Sequence, residues 1–244
     1  IISYSLDKGK RLRSMIVLDI SYSISGKYLF DMAMSVEILH TASLILDDLP
    51  CMDNDDLRRN KPSIHKKYGE KTAKIVAYFL LFESYNLINK YNNLDQYNSF
   101  NNIFQELCKQ NSLASYGQFF DLNHNGLLKK CIKKDDINLK TSPFFSVAFI
   151  GGYLLAGGEY KNINLIKKCA LYFSNFFQIY DDFNDEIEDQ EGTNINQVIL
   201  FGKKKALEIF NRDIGLFNNI TKTLNLNTEL FSEIIEYLKN KITI

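Results

Sequence analysis

The stretch Ser43-Leu44-Ile45-Leu46-Asp47-Asp48-Leu49-Pro50-Cys51-Met52-Asp53-Asn54-Asp55-Asp56-Leu57-Arg58-Arg59 decides how this chain is read. An apolar run enters five aspartates within ten positions, and two arginines follow. On an ideal helix Asp47 and Asp53 stand about 240° apart, on different faces. Pro50 lies between them, and a proline, lacking an N–H, kinks or ends a helix. A helix broken there lets Asp53 fold back towards Asp47. Two converging carboxylates repel unless a cation sits between them. Carboxylate oxygens, retained waters and substrate phosphates are the ligands Mg²⁺ takes. A solvated acidic loop is the commoner origin of such a run. The adjoining arginines and a second aspartate cluster downstream weigh against it.

That second cluster is Phe177-Gln178-Ile179-Tyr180-Asp181-Asp182-Phe183-Asn184-Asp185, at the end of a strongly apolar segment from Leu165 to Asp182. Asp181 and Asp185 are spaced i, i+4, and Gln178 lies one turn before Asp181. Like charges at that spacing destabilise a helix unless a cation or water offsets them. The apolar approach argues for the cation. Both clusters thus end apolar helices, an arrangement that puts a metal–diphosphate cluster at the mouth of a helix-lined apolar tube. Ionisation of an allylic diphosphate is the chemistry that uses such a site, with cations neutralising the departing pyrophosphate.

Working outward, Gly9-Lys10-Arg11-Leu12-Arg13 places Lys10 and Arg13 at i, i+3 on a helix start, a point charge and a planar fork suited to a diphosphate. His40 stands two turns before Asp47 on the same helix face. Lys140-Thr141 opens an apolar stretch, Pro143 to Gly158, where a lysine and a hydroxyl at a helix start suit a phosphate. That stretch is short of the roughly 18 residues of a membrane span, and a buried central helix is the better reading. Apolar periodicity predicts further helices over Asp31–Leu49, Glu70–Lys90, Ile103–Leu127, Val198–Ile220 and Glu229–Ile242. Asn60–Gly69 reads as a turn and linker. With no sustained strand alternation, repeat or linker between domains, the chain reads as one all-α domain.

The bulk numbers agree. Hydrophobic residues make up 45% and charged residues 24% of 244, and only three prolines and twelve glycines interrupt long elements. Lys+Arg and Asp+Glu balance at 29 each, so no global field attracts nucleic acid. Cys51, Cys108, Cys131 and Cys169 are scattered without a C-x-x-C pair, which fits a reducing compartment, cytoplasm or an organelle, and disfavours zinc.

Gly9–Arg13, the run from His40 to Arg59, Gly117-Gln118 with Asp121, Lys140-Thr141 and Phe177–Asp185 together resemble the motifs of the trans-isoprenyl (polyprenyl) diphosphate synthases, in their order. The likeness is to the geranylgeranyl/farnesyl type and covers nearly the whole chain. It implies a single-domain helical bundle of the isoprenoid synthase type around a deep apolar cavity, spanning residues 1–244, with the family's first helix expected before Ile1. It also implies the roles. Asp47, Asp53 and Asp181 would bind Mg²⁺, with Asp48, Asp182 and Asp185 supporting them. Lys10, Arg13, His40 and Arg59 would hold isopentenyl diphosphate. Arg58, Lys140, Thr141 and Gln178 would bind the allylic diphosphate or steady its cation. A homodimer, with a heteromer as the alternative, is the expected assembly.

The resemblance also implies that small Ala42 and Ser43, just before the first cluster, go with a product of C20 or longer, and that Tyr78 and Phe79 are candidates for a floor deeper in the tube. Two departures from the family pattern stand out: Ser14 in place of a proline, and a segment after Asp185 without lysine. The latter keeps open a catalytically weak subunit that modulates another synthase. A class I terpene cyclase is disfavoured, because it would lack the Lys10/Arg13/His40 group and carry a different second cluster.

Overall fold

The computed structural model describes residues 1–92, 100–123, 141–185 and 196–242. Among them the chain is helical apart from one small hairpin. In order come α1 (Ile2–Leu6), α2 (Leu12–Ser25), α3 (Phe30–Asp47), β1 (Leu57–Arg58), β2 (Lys61–Pro62), α4 (Ile64–Tyr68) and α5 (Glu70–Asn89). Then follow α6 (Phe100–Asn123), α7 (Ser142–Leu154), α8 (Ile163–Asn184), α9 (Gln197–Phe201), α10 (Lys203–Thr223) and α11 (Glu229–Lys241).

The bundle is built around α7. All of its residues but Phe144 are buried, and α2, α3, α6 and α8 pack against it. A helix apolar on every side needs that enclosure. Gly152 permits the approach of α2: a Cβ there would lie 3.2 Å from the Val17 backbone. Around α7, Phe145, Phe149, Phe173, Phe176, Phe217 and Phe231 interlock at centroid separations from 5.0 to 6.2 Å. Each buried phenylalanine contributes about 2–3 kcal/mol of transfer free energy. A second apolar cluster lies between α3 and α5, whose backbones are tied where the buried Ser35 hydroxyl donates to the Ser84 carbonyl at 2.8 Å.

Four sequence expectations change. The segment before α2 is not a helical turn: Lys8 and Arg11 have φ of 58° and 53°, so Lys10 precedes the helix and is not one turn from Arg13 within it. The linker over residues 60–69 is instead the hairpin and α4. Arg59 and Asn60 carry φ of 54° and 61°, the signature of a two-residue I′ turn. The helix expected over Val198–Ile220 is divided at Gly202, whose φ of 79° ends α9. Tyr78 and Phe79 face outward, 57% and 49% exposed, and form no floor. No helix among the described residues is long and apolar enough to cross a membrane.

Candidate active site

α3 stops at Asp47, and the Pro50 ring, which disfavours helical geometry at Leu49, keeps the helix from continuing. The chain then coils back, and the Asp53 N–H donates to the Asp47 carbonyl at 2.9 Å. The break therefore returns Asp53 to the helix end it left. Asp48 turns the other way. Its carboxylate is 2% exposed and accepts from Arg58 Nε at 2.8 Å and from Arg58 Nη2. Nη2 also donates to Asp55 at 2.8 Å. Burial raises the Asp48 pKa despite this partner. The first cluster thus has an outward pair, Asp47 and Asp53, and an inward anchor that fixes Arg58.

The second cluster repeats the division. Asp181 and Asp185 are one turn apart, with the Asp185 N–H donating to the Asp181 carbonyl at 3.0 Å. Asp182 is 3% exposed and accepts from the Gln178 amide and the Gln197 N–H, each at 2.9 Å. Burial pushes the Asp181 carboxyl up to about 6; Asp185 and Asp182 add to the rise, while Lys10 and Arg13 oppose it. A carboxylate so crowded gains from a bound cation.

Between the clusters lies a group of basic side chains. Arg13 reaches in from α2 with its guanidinium 4.4 Å from the centre of the Phe145 ring, and its buried Nε has no protein partner. Burial lowers its pKa to about 10. The His40 ring packs 5.9 Å from Phe144, and its buried Nδ1 is likewise unpartnered. Burial first, then Arg13, Arg59, Arg58 and Arg11, hold His40 well below its ordinary pKa, so it is neutral. The I′ turn aims Arg59 across to Gly9, where a Cβ would sit 3.0 Å from the guanidinium carbon. Arg11 is spent elsewhere: it pairs with buried Glu37 at 3.0 Å, and Glu37 also accepts the Ser14 N–H. Positive charge with unpartnered buried donors is what an anion with several oxygens satisfies.

Beside this group a cavity of about 370 Å³ runs between α3, α5, α6 and α7. Asp47 and Met52 stand on its wall together with Ala42, Ser43 and Leu46. Phe144 lines it too, so one ring separates His40 from the cavity. Gln118, quoted above only as part of a motif, also lines it with both amide atoms buried and unpartnered. Its spacing in that motif was the signal; Phe144 had none. Thr141 is the residue before α7 and makes no capping bond with its side chain. Lys140 and the segment 186–195 lie outside the described residues. Among those described, no three acidic side chains converge closely enough to hold a metal by themselves. The donor set still fits Mg²⁺, which takes one or two carboxylates and completes its shell with water and phosphate.

A polyprenyl synthetase family profile matches residues 1–198. The chain belongs to the polyprenyl synthetase family. Among its relatives in that family, the trans-prenyltransferase of African swine fever virus (isolate Tick/Malawi/Lil 20-1/1983) is 29% identical, aligning 98% of this chain with 74% of that protein. A geranylgeranyl diphosphate synthase of Pseudescherichia vulneris is 34% identical over 73% of this chain and 60% of its own length. The geranyltranstransferase structure from Thermotoga maritima superposes with a TM-score of 0.82 at 29% identity, covering 98% of this chain and 87% of that one. The all-α fold is that of the isoprenoid synthases.

Proposed function

We propose that this chain is a Mg²⁺-dependent prenyltransferase that condenses isopentenyl diphosphate with an allylic diphosphate to give a longer all-trans prenyl diphosphate. The observation that carries the reading is the adjacency of an apolar cavity, with Asp47 on its wall, to the cluster of Arg13, His40 and Arg59. The cavity suits a hydrocarbon, the basic cluster a diphosphate. Asp47, Asp53, Asp181 and Asp185 are the residues that would hold Mg²⁺. Bound there, the cations supply charge neutralisation to the leaving diphosphate.

The chain's own groups do the rest. Arg13, His40 and Arg59, with Lys10 at the rim, hold isopentenyl diphosphate. Arg58, Thr141, Gln178 and Lys140 serve the allylic diphosphate. The allylic C1–O bond breaks with its electron pair on the diphosphate. The isopentenyl double bond then attacks C1, and the proton lost from the adduct passes to the released diphosphate. The walls that exclude water keep the cation from being captured as an alcohol. Ala42 and Ser43 are small where they line the cavity, which supports a product of C20 or longer. A homodimer through the outward face of α5, where Ile75, Tyr78, Phe79 and Phe82 are exposed, is the assembly we infer.

The test is incubation with Mg²⁺, labelled isopentenyl diphosphate and C5, C10 or C15 allylic partners. Elongated diphosphates support the synthase. Hydrocarbons released from the allylic partner alone mean a cyclase, and no turnover by folded protein means a modulatory subunit.

A further inference from the structure

Arg58 closes β1 and Arg59 opens the turn, and the two adjacent arginines are anchored differently. Arg58 is held by carboxylates of its own stretch, Asp48 and Asp55. Arg59 meets backbone from another part of the chain. Its Nη1 donates to the Asp7 carbonyl at 3.4 Å, a long contact, and its guanidinium packs against Gly9. Burial lowers the Arg59 pKa, and Arg11 and Arg58 add to the fall while Glu37 opposes it. Like charges side by side repel, so a long flexible side chain keeps this direction only where neighbours fix it. The segment that supplies the backbone is itself tied at both ends. Tyr4 Oη donates to the Pro62 carbonyl of β2 at 2.8 Å, and the Asp7 carboxylate pairs with Lys61 on the same strand. The Lys67 ammonium sits 3.8 Å from the centre of the Tyr4 ring, which meets Tyr68 edge-on at 5.6 Å. Behind, Arg11 donates to the Leu6 carbonyl while it pairs with Glu37 of α3.

We propose that residues 4–9 form a strap clasped to the hairpin by Tyr4 and Asp7, and that these two are positioning residues for isopentenyl diphosphate, acting through Arg59. This rests on Arg59 serving that diphosphate, as in the function proposed above. Neither residue needs to touch the ligand. The clasp keeps the Asp7 carbonyl and Gly9 against the guanidinium, so Arg59 is in place before the diphosphate arrives. Ordering one long side chain in advance is worth about two- to tenfold in affinity. Because Arg58 has carboxylate anchors of its own, the strap tunes one diphosphate site and leaves the other alone.

Calorimetry with isopentenyl diphosphate alone, and with an allylic thiolodiphosphate that does not ionise, reads the two sites separately in the presence of Mg²⁺. Tyr4→Phe keeps the ring and loses the bond to Pro62; Asp7→Asn loses the ion pair. Each should weaken isopentenyl diphosphate about threefold and the two together about tenfold, while the allylic analogue stays within about twofold of wild type. The sign is decisive for Asp7. Removing an acidic charge beside a basic cluster would by Coulomb attraction alone tighten an anion, whereas a loosened strap weakens it. Asp7→Glu, which keeps the charge, should stay near wild type. Unchanged or tighter isopentenyl binding in the double variant, or equal loss at both sites, overturns the proposal. Turnover is scored separately. Selective loss without turnover keeps the strap and removes the synthase, turnover without selective loss does the reverse, and wild type that binds no isopentenyl diphosphate overturns both.

Discussion

At the scale of single residues, the candidate site separates groups proposed to face ligand from groups that hold them. Asp182→Ala removes the acceptor of the buried Gln197 N–H. It should cost about 2–3 kcal/mol of stability. Asp181→Asn should leave the apo protein as stable or more so, because it removes a crowded charge that burial disfavours, while abolishing Mg²⁺-dependent substrate binding. Thermal melts of the two variants check this, and equal destabilisation would remove the distinction. Gly9→Ala pushes a methyl group at the Arg59 guanidinium, the movable end of a flexible side chain. Melting should hardly change, whereas KM for isopentenyl diphosphate should rise about tenfold, the worth of a weakened charged contact. His40 gives a pH signature. Its folded-state pKa lies below the unfolded value near 6.5, so on acidification the unfolded chain takes up a proton that the folded chain does not. His40 should therefore contribute a loss of stability as pH drops below about 6.5, by at most about 1.4 kcal/mol per pH unit, which proton uptake at Asp181 near pH 6 opposes, and His40→Gln should remove the loss while leaving the Asp181 gain. Denaturant titrations at pH 7.5 and 5.5 measure it.

Among the elements, those with long apolar periods were legible in the sequence, and those decided by backbone handedness were not. Pro50 announced where α3 ends, and the return of Asp53 followed from it. Nothing in Lys8 or Arg11 declares a positive φ, because neither is glycine, so the break before α2 stayed hidden. The I′ turn at Arg59-Asn60 was equally silent, since arginine is not a usual residue of that turn. The outward rotation of Tyr78 and Phe79 is a tertiary choice: α5 buries Ala77, Leu80 and Ser84 against its neighbours, which leaves those two rings outside. The inward turn of Asp48 and Asp182 was also beyond the sequence, which offers each beside an aspartate of the same type. α9 shows how a small element serves the site. Asn196 caps it, accepting the N–H groups of Val198 and Ile199, and donates its amide to the Asp182 carbonyl at 2.8 Å. Asn196→Ala should cost about 1–2 kcal/mol for the lost cap. It should also lower kcat, because the end of α8 that carries Asp181 loses a tie. Unchanged kcat in a destabilised variant would confine Asn196 to folding.

Among the described residues, helices α2, α3, α6 and α8 surround one apolar axle, α7, with the candidate site residues gathered where that axle begins. Its balanced charge hides a divided surface at the site, aspartates on two helix ends and arginines between them. α7 has a consequence for how the protein breathes. Amide hydrogens exchange with solvent only when their segment opens, and the most deeply enclosed segment opens last. The amides from Phe145 to Leu154 should therefore be the slowest in the chain to exchange, opening only with global unfolding, whereas the exposed turn at Cys51–Asn54 should exchange early. Deuterium uptake followed by mass spectrometry checks the order. A substrate that tightens the Asp53 turn while α7 stays unchanged would show that the site closes by ordering its mouth, its back wall being rigid from the start.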